Sequence, residues 1–175
     1  MNANSQAPSI LGGIAILISS TRSASPVVSS VPRFFTLLEA EGLLPQVESL
    51  LRALIQLKED YERADAELSG INQRIALSGG MTLARERIQQ IRIRKDASAH
   101  GLKAALEEIQ ELGCELKDIE TGLIDFPTLY RGKEVYLCWK LGESGIGFWH
   151  HVEDGYQGRQ PIDSEFLANH SKSDE

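Results

Sequence analysis

The architecture of this chain follows from residues 47–75, VESLLRALIQLKEDYERADAELSGINQRI, in which apolar residues recur at alternating steps of three and four. The series begins at Val47, Leu50, Leu54 and Leu57 and runs to Ile75 without a miss. This spacing is typical of an α-helix that packs an apolar stripe against a second helix.

A second series of the same kind follows the Ser-Gly-Gly break at residues 78–80 and runs from Ala84 to Leu112. Gly113 then suits the end of a helix. Pairing the series across the break sets Ile75 against Ala84 and Val47 against Leu112, and the residue numbers of every pair add to one total. This constancy predicts two antiparallel helices in register over residues 33–112, as a long coiled-coil hairpin.

A short N-terminal helix is expected ahead of the hairpin. Thr36 can cap it, and Glu39 three residues later can complete a capping box. We expect Gly42 to end this helix and Pro45 to lie in the first turn of the next.

The character of the chain changes to β-prone segments after Gly113, at residues 114–119, 123–126, 134–141 and 146–152. Turn residues separate the segments, which predicts a small antiparallel sheet over residues 113–163, packed at the base of the hairpin. In the last β-hairpin, pairing Leu141 with Ile146 sets His150 beside Leu137 on an apolar face. The fold class predicted is therefore α+β.

The two ends of the chain are not expected to belong to the folded domain. Residues 1–32 are rich in Ser and contain no acid, and we interpret them as a flexible leader, with a secretory signal and an organelle transit peptide as the alternatives. Residues 164–175 are expected to form a disordered tail.

Composition excludes several classes of function. The 175 residues are 42% hydrophobic and 25% charged, which is the balance of a soluble globular chain. A net charge of −7 argues against nucleic acid as a partner. A membrane is not expected as a partner either, because no stretch approaches the roughly 20 apolar residues of a span. The two Cys are read as buried thiols of a cytoplasmic protein.

Candidate chemical residues lie in the predicted sheet. Asp118 and Asp125 each interrupt an otherwise apolar alternation in a predicted strand, and with His150 they are candidate catalytic residues or metal ligands. Glu143 and Arg159 are candidate ligand-binding residues, with Arg159 holding an anion. Salt bridges and a hydrogen-bonded core imidazole would explain the same residues without function.

Candidate interaction residues are Leu51 and Ile55, which lie off the helical seam, and Trp149 in the last strand. The sheet, the N-terminal helix or a second copy of the chain could cover the spare helical face. We favour a non-enzymatic interaction module, forming a homo-oligomer or binding a protein partner through the hairpin. The alternative is a metal-dependent or acid–base enzyme, or a ligand-binding protein. No cofactor can be assigned.

The chain resembles the domain-of-unknown-function 2203 family of small prokaryotic proteins over residues 33–163. The matching segments are RFFTL at 33–37, LLP at 43–45, GCELKD at 113–118, GLIDFP at 122–127, EVYLCW at 134–139, LGE at 141–143, FWH at 148–150 and GRQP at 158–161. The resemblance implies the fold and leaves activity, cofactor and catalytic residues open. Residues 1–32 depart from the usual compact start of the family, which favours a mis-started leader.

Overall fold

A computed structural model of the protein describes residues 33–78 and 84–171, and the predicted leader lies outside them. Two helices, α1 (Leu37–Ser78) and α2 (Ala84–Glu111), precede the strands. The strands are β1 (Glu115–Asp118), β2 (Leu123–Tyr130), β3 (Lys133–Lys140), β4 (Phe148–His151), β5 (Gln160–Pro161) and β6 (His170–Ser171). A 3-10 turn (Tyr156–Gly158) precedes β5, and α3 (Ser164–Asn169) follows it. The predicted α+β class, a helical hairpin followed by an antiparallel sheet, is confirmed.

The capping box at the start of α1 forms as expected. The Thr36 backbone N–H donates to Glu39 Oε2 at 2.9 Å, and the Glu39 N–H donates to Thr36 Oγ1 at 3.2 Å. These two bonds satisfy backbone donors that the first turn of a helix leaves free.

The prediction of a separate short N-terminal helix is wrong, because α1 runs without a break through Gly42 and Pro45. An interior proline removes one helical hydrogen bond and costs about 3 kcal/mol. Ala40 and Val47, on either side of Pro45, are both fully buried in one core. A break between them would withdraw one of the two from that core, so packing outweighs the local cost.

The two helices of the hairpin pack along their length in antiparallel directions. Cross-helix ion pairs join Glu67 to Arg94 at 3.1 Å and Asp65 to Lys95 at 2.5 Å. Beyond these pairs, towards the turn of the hairpin, a small apolar cluster around Ile71 and Ile91 involves the two helices alone. None of the helices within the described ranges is both long and apolar enough to cross a bilayer.

The sheet has the strand order β1-β2-β3-β4-β5, with β6 pairing the far end of β2, and all pairs are antiparallel. One face packs on the base of the hairpin, where Leu51 and Ile109 of the helices share a core with Phe126 and Leu137 of the strands. The sheet therefore covers the apolar face of the hairpin, at Leu51, for which the pairing of the two helices offered no partner.

The register predicted for β3 and β4 is wrong by one residue. His150 pairs with Tyr136, and Trp149 pairs with Leu137. A slip of one residue exchanges the two faces of a strand. Trp149 therefore enters the core beneath the sheet, and His150 turns to the opposite face.

Residues 164–171, which were expected to belong to a disordered tail, form α3 and β6. Asp163 caps α3 by accepting a hydrogen bond from the Phe166 N–H at 2.8 Å. Phe166 is buried and stacks on Tyr130 and Trp149, and this aromatic contact anchors the segment to the sheet. Residues 172–175 lie outside the described residues.

Candidate metal centre

Three residues of metal-binding type share the face of the sheet that is turned away from the helices. Asp125 of β2 lies directly opposite Cys138 of β3. His150 of β4 lies opposite Tyr136, two residues along β3 on the same face as Cys138. Three neighbouring strands thus each bring one potential ligand to a single place.

The three side chains are close together and shielded from solvent. The atoms through which they would bind a metal all lie within 4.8 Å of one another. His150 Nε2 is 3.1 Å from Asp125 Oδ2. The residues are 1% (Asp125), 0% (Cys138) and 1% (His150) exposed.

The backbone fixes the orientation of the His150 ring. Nδ1 is 2.8 Å from the carbonyl oxygen of His151, so it carries the proton that this acceptor requires. Nε2 then faces the carboxylate of Asp125. Histidines that bind metals commonly donate the N–H of the other ring nitrogen to a carbonyl or carboxylate in this way.

The carboxylate of Asp125 has only part of its hydrogen-bonding capacity satisfied. Its Oδ2 faces His150, and the buried Oδ1 has no hydrogen bond of ordinary geometry within the described part of the chain, with the Cys138 thiol as the nearby donor to this carboxylate. A buried acceptor without a donor costs about 1–3 kcal/mol, and a bound cation removes that cost. Asp125 is therefore a carboxylate with capacity for one more positive group.

A cationic side chain lies at the edge of the centre. Lys117 Nζ is 3.9 Å from Asp125 Oδ2 and 2.5 Å from Glu115 Oε2. The ammonium also lies over the ring of Tyr136, whose hydroxyl donates to Glu115 Oε1 at 3.0 Å. Glu115 and Tyr136 thus hold Lys117 where it can neutralise Asp125 in part.

The metal-free centre holds protons that a metal would replace. Burial, followed by the charge of Asp125 and a hydrogen bond to its carboxylate, raises the pKa of the Cys138 thiol well above its ordinary value. Burial alone lowers the pKa of His150, but hydrogen bonds to Asp125 and to the His151 carbonyl raise it overall. Cys138 is accordingly a thiol, and His150 has a strengthened tendency to be an imidazolium paired with Asp125.

The spacing of the donors suits a small divalent ion. Zinc binds nitrogen and oxygen at about 2.0–2.2 Å, so two such ligands in a tetrahedron lie about 3.3 Å apart. The observed separation of His150 Nε2 and Asp125 Oδ2 is 3.1 Å. This pair therefore needs a shift of only a few tenths of an ångström, while Cys138 Sγ lies within 4.8 Å of both donors. Carboxylate, thiolate and imidazole together form a donor set suited to zinc and its neighbours.

Asp118 does not join the centre. Its Oδ1 accepts a hydrogen bond from the Glu120 N–H at 2.9 Å, and its Oδ2 accepts one from Thr121 Oγ1 at 2.8 Å. Both oxygens therefore shape the turn between β1 and β2, where an aspartate is favoured for this reason.

Glu143 and Arg159 bind each other. The Arg159 guanidinium donates to both oxygens of Glu143, at 2.8 and 2.7 Å, and to the carbonyl of Cys138 at 3.1 Å. The ring of Phe148 lies 4.2 Å from the guanidinium carbon. The pair therefore holds the loop after β3 against the sheet, and the anion expected to bind Arg159 is replaced by the chain's own carboxylate.

The expected interaction residues lie largely inside the protein. Leu51 is fully buried, Trp149 is buried and Ile55 is half-buried against the same core. The chain's own sheet occupies the face through which a partner was expected to bind.

Sequence reasoning missed Cys138, because two cysteines 24 positions apart do not form a zinc-binding motif. One signal could have located it. Arg131 and Gly132 both have positive φ, at 53° and 73°, and form the two-residue turn between β2 and β3. A hairpin closed at Arg131-Gly132 sets Asp125 opposite Cys138.

Comparison with known proteins identifies a family and no characterised relative. Residues 33–162 match the model of the family described as "Uncharacterized conserved protein (DUF2203)". No curated protein and no solved structure matches the chain.

Proposed function

Because the chain belongs to the DUF2203 family, whose description assigns no activity, we propose a function from the geometry alone: the protein binds a divalent metal ion of the zinc type. The ligands are Asp125 Oδ1 or Oδ2, Cys138 Sγ and His150 Nε2. The observation that carries the proposal is the convergence of these three buried donors within 4.8 Å.

The surroundings of the three donors support this proposal. The His151 carbonyl orients His150 for binding through Nε2. Oδ1 of Asp125 has no hydrogen bond of ordinary geometry in the described residues, so a cation could bind it. Packing alone requires neither feature, and three apolar residues would fill the same space without the free-energy cost of burying polar groups.

Metal binding would join three neighbouring strands, β2, β3 and β4, through one ligand from each. Three protein ligands leave a fourth tetrahedral position for water or another small ligand. Because all three donors are buried, a large substrate has no access to that position. We therefore propose a stabilising metal and not a centre for turnover of a large substrate.

Calorimetric titration of the reduced, metal-free full chain with zinc tests the proposal. We expect one ion per chain, and at least about tenfold weaker binding by Cys138→Ser, His150→Gln and Asp125→Asn. Cys114→Ser is the matched control, since Cys114 is also a buried free thiol but lies in the core between sheet and helices. The proposal fails if zinc does not bind saturably, or if Cys114→Ser weakens binding as much as Cys138→Ser.

A reducing compartment keeps free thiols available as ligands. Cys114 and Cys138 are both free and buried, and burial raises the pKa of Cys114 to about 12, so it stays an inert thiol. We propose a cytoplasmic location on this ground, which fractionation of the native host cells would test.

A second candidate function, the interaction module, retains one supporting observation. The far half of the hairpin buries its apolar residues between its own two helices, and Ile93 on this part is 60% exposed. A second copy or a protein partner could bind this arm. Light scattering of the wild type and of Ile93→Ser tests it: an oligomer that Ile93→Ser dissociates supports the module, and a monomer at micromolar concentration removes self-association.

A further inference from the structure

Lys117 of β1 lies beside the proposed metal centre at a β-bulge. The register between β1 and β2 shifts between Leu116 and Asp118, which makes Lys117 an extra residue in its strand. A bulge of this kind bends a strand and re-aims a side chain, and bulges are frequent next to functional sites. In this position the Nζ atom of Lys117 is 3.9 Å from Asp125 Oδ2.

The Lys117 ammonium is shared between two carboxylates that differ in exposure. Nζ is 2.5 Å from Glu115 Oε2 and 3.9 Å from Asp125 Oδ2. The Glu115 side chain is 46% exposed, whereas that of Asp125 is 1% exposed. Because water screens a buried charge less than an exposed one, Asp125 attracts the ammonium although it is the more distant partner. Glu115 therefore holds the ammonium at the edge of the centre in competition with Asp125.

Contacts around Glu115 give the ammonium a resting place outside the cluster of three ligands. The Tyr136 hydroxyl donates to Glu115 Oε1 at 3.0 Å, which fixes the carboxylate. The centroid of the Tyr136 ring lies 4.4 Å from Lys117 Nζ, so the face of the ring also attracts the cation. Lys117 can thus move away from Asp125 and still keep a counter-charge.

We infer that Lys117 sets the affinity of the metal site, a role that rests on the proposed function because it concerns the same three ligands. In the metal-free protein the ammonium supplies part of the positive charge beside Asp125. An entering divalent ion supplies that charge in its place, and the ammonium withdraws to Glu115 and Tyr136. Lys117 is not itself a ligand. It opposes binding, so that only an ion held strongly by all three donors displaces it.

Electrostatic repulsion between the metal and the ammonium gives the size of the effect. An ion bound to Asp125 at about 2 Å would lie roughly 5 Å from the ammonium if Lys117 did not move. Charges of +2 and +1 at that separation repel, even with the dielectric constant of water, enough to raise the dissociation constant about tenfold. Movement towards Glu115 lowers this repulsion, and burial raises it.

Calorimetric titration of the reduced, metal-free full chain with zinc tests the role of Lys117 on three variants. Lys117→Met removes the charge and keeps the length of the side chain, and we expect a dissociation constant about tenfold lower than that of the wild type. Lys117→Arg keeps the charge and should bind zinc no more tightly than the wild type. Lys103→Met removes an equal charge from a lysine of α2 whose side chain is 69% exposed, and it controls for the net charge of the chain.

Glu115→Gln tests the resting place of the ammonium. Without the Glu115 carboxylate, Lys117 keeps Asp125 as its counter-charge, so we expect zinc to bind several-fold more weakly. Adding Lys117→Met should remove most of this effect, because the double variant has no ammonium to release. An equal effect of Glu115→Gln in both backgrounds would show that the Glu115 charge acts directly on the metal, and it would overturn the exchange.

The outcomes distinguish failure of the Lys117 role from failure of the metal site. If the wild type and Lys117→Met both fail to bind zinc saturably, both proposals fall. If zinc binds but Lys117→Met has equal or lower affinity than the wild type, or Lys117→Arg binds as tightly as Lys117→Met, the metal site stands and Lys117 does not set its affinity. Tighter binding by Lys117→Met, with wild-type affinity in Lys103→Met, supports the role of Lys117.

Discussion

The buried pair of Asp125 and His150 should be unequally sensitive to the loss of either partner in the metal-free protein. If His150→Gln removes the imidazole, Asp125 keeps only Lys117, 3.9 Å away and partly exposed, as a counter-charge. We expect a loss of about 3 kcal/mol in the free energy of unfolding, the lower end of the range for breaking a buried pair. Asp125→Asn should cost about 1–2 kcal/mol, because His150 can release its proton and remain hydrogen-bonded as a neutral ring.

The coupling between the two residues follows from these costs. The double variant contains no buried charge at this place, so it escapes the penalty of an unpaired Asp125 and should lose only about 1–2 kcal/mol. The two single losses add to about 4–5 kcal/mol, which leaves a coupling of about 3 kcal/mol. Urea denaturation with EDTA present, at pH 6, measures each value. For a chain of this size, 1 kcal/mol corresponds to about 2–4 °C in Tm.

The exposed pair of Arg52 and Glu48, separated by 2.6 Å on α1, is the control for this cycle. Its coupling should be at most about 0.5 kcal/mol, as for other surface pairs. The reasoning is refuted if the coupling of Asp125 and His150 is no larger, or if Asp125→Asn costs more than His150→Gln.

Three further predictions concern residues outside the proposed metal site. Pro45→Ala should raise the free energy of unfolding by about 2 kcal/mol, because it restores a hydrogen bond inside α1; a lower urea midpoint would contradict this. Gly122→Ala should lower it by about 2 kcal/mol or more, because Gly122 has a φ of 65° and a Cβ there would lie 2.6 Å from Leu141 Cβ; an unchanged midpoint would count against the turn geometry. Burial lowers the pKa of His170, so the neutral ring is favoured in the folded state and stability is lost as pH falls below about 6.5. His170→Phe should reduce that loss between pH 7 and pH 5, and parallel stability profiles of the two proteins would refute this.

The helical hairpin was predictable because its signal is local and repeated. The spacing from Val47 to Ile75 and from Ala84 to Leu112 defines two apolar stripes, and the break between them is short. Pro45 misled the prediction of the helix start. Val47 is buried against residues far away in the sequence, and this packing, which local sequence does not show, favours a continuous helix.

The centre was predictable only in part, because it depends on the register between strands. The unusual position of Asp125 in an apolar strand indicated a functional or structural role. His150 was identified from a register that set it beside Leu137, and that register is wrong by one residue. The loop between β3 and β4 could not be read from local pattern. Trp139 Nε1 donates to the Glu143 carbonyl at 3.1 Å, and Glu143 in turn binds Arg159, far along the chain. The loop spans residues 141–147, and β4 pairs with β3 so that His150 lies on the same face as Cys138.

Asp118 is a candidate site residue that the structure places in a turn and not in the cluster with Asp125. It is the same residue type as Asp125 and also lies in a β-prone segment, yet its oxygens accept hydrogen bonds in the turn that includes Thr121. Two residues alike in sequence differ in role because one lies at the end of a strand and the other at its centre, which only the position of the turn decides.

Titration of the metal-free protein with cobalt(II), followed by absorption spectroscopy, tests the metal centre most directly. The account predicts one cobalt ion per chain, with tetrahedral visible bands and a near-ultraviolet thiolate-to-cobalt band that Cys138→Ser abolishes and Cys114→Ser retains. A spectrum of octahedral cobalt in water, or a thiolate band that survives in Cys138→Ser, would contradict it.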